Sequence, residues 1–277
     1  LIEGWIKEAT PERLSGMLYR GGTALGSSRS KRFFEYEFRK QAFENLQNLG
    51  ISKLIIIGGD GSFNALNQFY VDFKVPFAGI PATIDNDISG TDYCLGVDTA
   101  LNMIRSSVDS IRDTASSFSR AFVIETMGRD CGYLAMVSAL ANGAEVCLVP
   151  EIKYDLDAVG ERLRQQRAAG KRYVLGIVAE GTGMAEPLTR WMGDFLDMDA
   201  RLTVLGHVQR GGSPTVYDRI MAYKFAVAAV DHLLAGDTNR VVTFRNGRFG
   251  SSSIHQISDT KHECEASLLE LVRELSC

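Results

Sequence analysis

Lys53–Ile57 reads KLIII and runs directly into Gly58–Ser62, which reads GGDGS. An apolar run of this kind is typical of a strand in a parallel sheet, because both faces of such a sheet are covered. The glycines let the backbone approach a phosphate closely, and the helix that follows offers N–H groups and the positive end of its dipole. The stretch therefore predicts a strand, a ligand-binding loop and a helix in succession.

The same alternation of short apolar strands and longer helical stretches continues along the chain. Further strands are predicted at Val75–Ile80, Ala121–Glu125, Glu145–Val149 and Tyr173–Ala179. Helices are predicted at about 35–49, 62–73, 96–113, 130–142, 155–169 and 215–234. Gly50, Gly143 and Gly170 follow three of these helices, where a left-handed C-cap favours glycine. The alternation predicts an α/β fold with right-handed crossovers.

Length and composition describe a globular chain. Its 277 residues suit one large domain or two ordinary ones, with 45% hydrophobic and 23% charged residues. The net charge of -4 provides no general attraction for nucleic acid, and no apolar run approaches the roughly 18 residues that span a bilayer. Five cysteines without CxxC spacing favour reduced thiols. We expect a cytoplasmic protein that binds neither nucleic acid nor membrane.

Carboxylates lie just after predicted strands, where open α/β sheets bind their ligands. Asp60 sits in the glycine-rich loop, and a carboxylate beside a phosphate indicates Mg²⁺ between them, although Gly-Asp-Gly is also ordinary turn chemistry. Pro81–Asp87 reads PATIDND and carries Asp85 and Asp87. In phosphoryl transfer one carboxylate can act as base towards the acceptor hydroxyl while the other faces the metal. The alternative is an exposed acidic turn.

Basic residues form a third group, which comprises Arg120, Arg129, Arg201, His207 and Arg210. Arginine matches phosphate oxygens bidentately, and a histidine beside it can add a donor. The segment GHVQRGG at 206–212 sets two of the group between glycines, which permits a close approach of the backbone. Any one of these side chains can also be a solvated surface residue. Their positions at the starts and ends of predicted loops favour a phosphate site.

Four motifs together resemble the 6-phosphofructokinase family in order, spacing and wording. They are GGDGS at 58–62, PATIDND at 81–87, ETMGRDCG at 125–132 and VLGHVQRGGSP at 204–214. The resemblance implies two Rossmann-like three-layer α/β domains with mostly parallel sheets and an active site in the cleft between them. It also implies a nucleotide- and Mg-binding domain at 1–96 plus 209–259, and a sugar-phosphate-binding domain at 97–208 plus 260–277. The implied reaction is phosphoryl transfer from ATP to the 1-hydroxyl of fructose 6-phosphate in glycolysis.

The resemblance also implies a catalytic role for matching positions. Asp85 would be the base that takes the proton of the sugar 1-hydroxyl. Thr83 and Arg129 would stabilise the transferring phosphoryl group. Asp60 would hold Mg²⁺, and Asp87 would assist at the metal.

Binding roles follow from the same resemblance. The implied contacts to ATP are Arg29, Ser30, Gly59, Gly61 and Ser62. The implied contacts to the sugar phosphate are Met127, Gly128, Arg129, Glu180, His207 and Arg210. Arg120 and Arg201 would reach the 6-phosphate in the active site of a neighbouring subunit, which implies a homotetramer with shared sites. Arg112, Lys171 and Glu145 match effector positions of this allosteric family, or are ordinary surface charges.

The phosphoryl donor separates two branches of the family. The pyrophosphate branch carries Asp where this chain has Gly61 and Lys where it has Ala82. Two small residues leave room for a nucleoside, so ATP is favoured. The alternatives are a pyrophosphate-dependent phosphotransferase and a non-catalytic regulatory subunit that binds sugar phosphate. Lipid and NAD kinases share the Gly-Gly-Asp-Gly loop, but the TIDND and GHVQRGG motifs speak against them. Family members usually begin several dozen residues earlier, with a strand and a glycine-rich loop, so we expect a longer protein.

Overall fold

The computed structural model describes residues 1–28, 30–258 and 262–276. The chain divides into two compact units. The first unit consists of Leu1–Thr83, Ile88–Gly96 and Ser213–His262, and the second unit consists of Ile84–Asp87, Val97–Gly212 and Glu263–Cys277. Within the described part of the chain, no helix combines the length and apolar character needed to cross a membrane.

The strands and helices alternate along most of the described chain. The strands are β1 (Leu54–Gly58), β2 (Phe77–Pro81), β3 (Ala121–Thr126), β4 (Val146–Leu148), β5 (Val174–Ala179), β6 (Ala200–Val204), β7 (Arg240–Arg245) and β8 (Arg248–Ser253). The α-helices are α1 (Pro11–Leu14), α2 (Tyr36–Asn48), α3 (Asp60–Phe73), α4 (Val97–Phe118), α5 (Tyr133–Asn142), α6 (Leu156–Ala168), α7 (Ala185–Leu196), α8 (Val216–Ala235), α9 (Ile254–Ser258) and α10 (Ala266–Ser276). Short 3-10 helices cover Lys31–Phe34, Glu180–Thr182 and Gly206–Arg210.

The first unit is built on a sheet in the order β1-β2-β7-β8. β1, β2 and β7 are parallel, and β8 returns antiparallel to β7. Helices α3 and α8 pack against this sheet, and the fully buried rings of Phe63, Phe77 and Phe225 lie in its core. Asp218 in the first turn of α8 is buried and accepts hydrogen bonds from the Tyr93 hydroxyl at 2.6 Å and the Gly96 N–H at 2.7 Å.

The second unit is built on an entirely parallel sheet in the order β4-β5-β3-β6. Ala121 and Val123 of β3 join the apolar cluster formed by residues of α6 and α7. Because side chains alternate along a strand, Phe122 and Ile124 point to the opposite face, where α4 and α5 pack. Covering both faces gives three layers, and every residue of β5 is buried. The structure confirms the predicted α/β class with mostly parallel sheets.

Strands β6, β7 and β8 and helix α7 are among the elements that the sequence analysis did not predict. β7 and β8 form a hairpin whose turn is Asn246-Gly247, both with positive φ, and this dipeptide is a strong hairpin signal. β6 lies at the edge of its sheet and is only partly buried, so its apolar pattern is weak. Arg201 therefore lies within a strand, and its predicted position at a loop end is wrong. Helix α7 contains Pro187, which its first turn tolerates.

Candidate active site

The glycine-rich loop of the first unit lies at the N-terminus of α3. Gly59 is the N-cap, and the helix begins at Asp60, two residues earlier than the predicted start at residue 62. This places the positive end of the helix dipole beside the glycines and leaves the Asp60 side chain exposed. At Gly58 a Cβ would lie 2.6 Å from Ser62 Oγ, whereas at Gly61 it would meet no heavy atom of the described chain within 4 Å. The loop is therefore tightly packed at Gly58 and open at Gly61.

Thr83 follows β2 and lies beside this loop, because β1 and β2 are parallel neighbours. The Ala82 N–H donates to the Gly58 carbonyl at 2.9 Å. A Cβ on Gly59 would lie 3.7 Å from Thr83 Cβ. Thr83 and the GGDGS segment are thus brought together within the first unit. Ser30 is exposed at the N-cap of a 3-10 helix, and Arg29 lies outside the described residues.

Two of the predicted catalytic residues meet in the second unit. Asp85 is only 2% exposed, and its Oδ2 lies 3.3 Å from Arg129 Nε. The Arg129 side chain is 57% exposed, so it reaches from the surface to a buried carboxylate. Asn86 adopts a left-handed φ of 53°, which asparagine tolerates better than most residues. Asp87, the second carboxylate of the motif, is partly buried.

The surroundings of Asp85 raise its pKa above the ordinary value. Burial has the largest effect, and the negative charges of Asp87 and Glu180 add to it. The positive charges of Arg129 and Arg210 oppose the rise without cancelling it. A carboxylate with a raised pKa is a stronger base once it is ionised, and a perturbed pKa of this kind marks Asp85 as a candidate catalytic group.

The raised pKa of Asp85 predicts a stability effect that needs no assay of activity. A carboxyl group whose pKa is higher in the folded state contributes stability below its unfolded pKa of about 3.9, and that contribution is lost as pH rises through the folded pKa. We therefore expect Asp85→Asn to resist urea better than the wild type at pH 7, with the difference shrinking as pH falls towards 4. A variant that is less stable at pH 7 would contradict the assignment. Asp109→Asn makes the same substitution on the surface of α4, where the side chain pairs with Arg105, and serves as the control.

The loop after β3 is held by Glu180. One carboxylate oxygen, Oε1, accepts hydrogen bonds from the N–H groups of Gly128 at 3.2 Å and Arg129 at 2.9 Å. Arg129 has a φ of 53° and Gly128 a φ of 139°, so the chain turns sharply here. This turn explains why α5 begins at Tyr133 rather than at the predicted residue 130. Glu180, predicted to bind the sugar phosphate, thus shapes the loop that carries Arg129.

Gln209 connects two motifs and was missed by the sequence analysis. It is 1% exposed, and its Oε1 accepts from the Met127 N–H at 3.1 Å while its Nε2 donates to the Gly206 carbonyl at 3.0 Å. His207 and Arg210 on either side of it are exposed. A glutamine between two basic residues in GHVQRGG was the available signal, but sequence cannot show that its amide points inward.

Arg120 and Arg201 form a separate pair around Asp199. Arg120 Nε lies 2.7 Å from Asp199 Oδ2, and Arg201 Nε lies 3.0 Å from Oδ1. Both arginines are at the amino ends of their strands, with Phe122 opposite Arg201 in the β3–β6 register. Met127, a predicted contact to the sugar phosphate, follows the opposite, carboxyl end of β3. Within one chain, Arg120 and Arg201 are therefore separated from Met127 by the length of the strand.

The three residues matched to effector positions make internal contacts. Glu145 is buried, forms an ion pair with Lys171 and accepts from the Leu175 N–H at 2.6 Å. Arg112 donates to the carbonyl oxygen of Asn142. The interpretation of Glu145 as an ordinary surface charge is therefore wrong.

Comparison with known proteins places this geometry in a family. A family profile described as phosphofructokinase matches residues 1–233. The chain is 50% identical to the ATP-dependent 6-phosphofructokinase of Sulfurimonas denitrificans over 275 residues, which covers 99% of this chain and 86% of that protein. It is also 50% identical over 276 residues to the ATP-dependent 6-phosphofructokinase of Wolinella succinogenes, with the same coverage of 99% and 86%.

A solved structure agrees with these sequence matches. Phosphofructokinase from Saccharomyces cerevisiae superimposes with a TM-score of 0.84 at 30% identity, over 92% of this chain. The matched region spans 38% of the yeast chain, so it corresponds to only part of that larger protein. The family match covers residues 1–233, a range that contains the buried Asp85 and the glycine-rich loop. The chain belongs to the phosphofructokinase family.

Proposed function

We propose that this chain transfers the γ-phosphoryl group of ATP to the 1-hydroxyl of fructose 6-phosphate, giving fructose 1,6-bisphosphate in glycolysis. The observation that carries the proposal is the buried Asp85 carboxylate, 3.3 Å from Arg129 Nε. Asp85 takes the proton from the 1-hydroxyl as its oxygen attacks phosphorus. Arg129 and Thr83 stabilise the charge on the transferring group, for which positioning and electrostatics supply most of the catalysis. Two relatives that are named ATP-dependent 6-phosphofructokinase are 50% identical to the chain, which supports the proposal.

The first unit supplies the groups for ATP and Mg²⁺ in this proposal. Asp60 offers a carboxylate oxygen, the ligand type that Mg²⁺ prefers, on an exposed first turn where phosphate oxygens can complete the coordination. Bound Mg²⁺ would neutralise charge on the phosphates, and Asp87 would assist there. Gly59, Gly61 and Ser62 would contact the phosphates, together with Arg29 and Ser30. The open space at Gly61 supports ATP over pyrophosphate, since it leaves room for a nucleoside.

The second unit supplies the groups for the sugar phosphate. Exposed His207 and Arg210 would bind it, together with Met127, Gly128 and Glu180 of the loop that Gln209 and Glu180 hold in place. The separation of Arg120 and Arg201 from these residues within one chain supports their action on a neighbouring subunit. We therefore propose a cytoplasmic homotetramer with shared sites, in which Asp199 holds the two arginines together.

The test is formation of fructose 1,6-bisphosphate from fructose 6-phosphate and Mg²⁺, run in parallel with ATP and with pyrophosphate. We expect turnover with ATP alone. Turnover with pyrophosphate would assign the protein to the other branch and show that Gly61 and Ala82 are poor guides to the donor. Binding of the sugar phosphate by folded protein, without turnover of either donor, would indicate a regulatory subunit.

Arg210→Gln tests the sugar-phosphate contact. We expect KM for fructose 6-phosphate to rise roughly 10- to 100-fold with kcat little changed, because a charge-assisted contact to a remote phosphate is similar in the ground and transition states. Steady-state kinetics measure the split between KM and kcat. Arg190→Gln is the matched control, since the Arg190 side chain on α7 is 76% exposed and forms a 3.8 Å ion pair with Glu186. An unchanged KM in Arg210→Gln would remove Arg210 from the site.

A further inference from the structure

Two cysteines of the second unit lie close together behind the loop that carries Arg129. The Sγ atoms of Cys131 and Cys264 are within 4.8 Å of each other, and the two thiols share a hydrogen bond. Cys131 follows Arg129 by two residues, and Cys264 precedes α10. Side-chain rotation can close such a gap to the S–S bond length of about 2 Å when the backbone positions permit it.

The two thiols are chemically unequal. The hydrogen bond with Cys264 lowers the pKa of Cys131 and outweighs the burial that opposes it. The same hydrogen bond and burial raise the pKa of Cys264, and the Cys264 thiol donates to Glu151 Oε1 at 3.6 Å. The thiolate is the nucleophilic form, which favours Cys131 as the attacking sulfur. By contrast, burial raises the pKa of Cys147 to about 12, and this cysteine is fully enclosed.

The pair is coupled to the catalytic loop through short contacts. The Cys131 N–H donates to the Gly128 carbonyl at 2.9 Å, and a Cβ on Gly128 would overlap the Cys131 carbonyl oxygen. Glu151 Oε1 accepts from the Gly132 N–H at 2.7 Å and lies 3.6 Å from Cys264 Sγ. A movement of either sulfur therefore acts on the backbone that positions Arg129.

We propose that Cys131 and Cys264 are a redox switch: a peroxide converts them to a disulfide that distorts the Arg129 loop and lowers activity. The Cys131 thiolate attacks one peroxide oxygen, the O–O bond breaks, and protonation yields a sulfenic acid and one water. The Cys264 sulfur then attacks the sulfenic sulfur, the S–O bond breaks, and the departing hydroxide takes the Cys264 proton as a second water. Two thiols are oxidised and one peroxide is reduced. The effect on activity rests on the proposed function, whereas the disulfide itself does not.

The first measurement is peptide mapping by mass spectrometry of the full folded chain after treatment with hydrogen peroxide. We expect a cross-linked peptide pair containing Cys131 and Cys264, two hydrogens lighter than the reduced pair and restored by dithiothreitol. Cys264→Ser should abolish it, and Cys277→Ser should retain it, which controls for a cysteine outside the described residues. Oxidation of Cys131 to a sulfinic acid without any cross-link, or a cross-link to a different cysteine, would overturn the pairing.

The second measurement is the rate of fructose 1,6-bisphosphate formation before and after the same treatment. We expect at least about a tenfold fall in kcat/KM, reversed by dithiothreitol, because small displacements at a site of this kind are costly. Cys264→Ser should keep its activity through the treatment. A complete cross-link with unchanged activity would overturn the switch. A chain inactive with both donors would overturn the proposed function, while the peptide map would still decide the pairing.

Discussion

Replacing Asp85 by Asn is expected to lower kcat by roughly 10² to 10⁴-fold, the usual contribution of a general base. The amide cannot accept the proton of the sugar hydroxyl, although it has nearly the shape of the carboxylate. Asp85 is 2% exposed and faces Arg129 at 3.3 Å, so water has little access to replace it as base. The raised pKa of Asp85 further predicts that loss of its charge stabilises the fold at neutral pH, so inactivity would not arise from unfolding.

The measurement is single-turnover formation of product at saturating ATP and fructose 6-phosphate, which separates chemistry from substrate binding. Asp109→Asn makes the same chemical change on α4, where the Asp109 side chain is 47% exposed and pairs with Arg105. We expect this control to retain wild-type kcat. A kcat of Asp85→Asn within a few-fold of the wild type would exclude Asp85 as the base and leave it as a positioning residue.

The second large effect is expected for Gly181→Ala, with a loss of about 10²-fold in kcat/KM. A Cβ at Gly181 would overlap the carbonyl oxygen of Arg129 and lie 3.3 Å from Pro150 Cγ. Gly181 is outside the left-handed region, so the cost is steric and not one of backbone strain. The neighbouring Glu180 holds the N–H of Arg129 at 2.9 Å, so the loop cannot retreat without breaking this bond. A shift of about 1 Å at Arg129 is enough for such a loss.

Gly193→Ala in α7 is the matched control for this substitution. Its Cβ would make only ordinary contacts at 3.6 Å, and alanine in a helix is favoured over glycine by about 0.5–1 kcal/mol. We expect Gly193→Ala to keep full activity and to unfold at slightly higher urea concentration. Gly181→Ala should remain folded by circular dichroism while losing activity. Unchanged kinetics in folded Gly181→Ala would show that the Arg129 loop adapts to the added methyl group.

Much of the fold follows from local patterns in the chain. Fully buried parallel strands such as β2 and β5 are recognisable because every residue in them must be compatible with an apolar interior. Helix ends at Gly50, Gly143 and Gly170 were correctly placed, since each of these glycines has the positive φ of a left-handed cap. Strand β6 was missed because an edge strand does not need a continuous apolar run.

The sequence by itself determined the α/β class, the family, and the carboxylates and arginines that are candidates for the chemistry, because these depend on residue type and spacing. Only the tertiary structure decided how the candidates are held. Gln209 and Glu180 support the Arg129 loop through hydrogen bonds across 82 and 51 residues of sequence, and Asp199 joins Arg120 to Arg201. The burial of Asp85, and the close approach of the Arg129 carbonyl that leaves no room for a Cβ at Gly181, likewise arise from segments distant in sequence. Local patterns cannot contain such information, since it exists only once the strands have paired and the loops have packed.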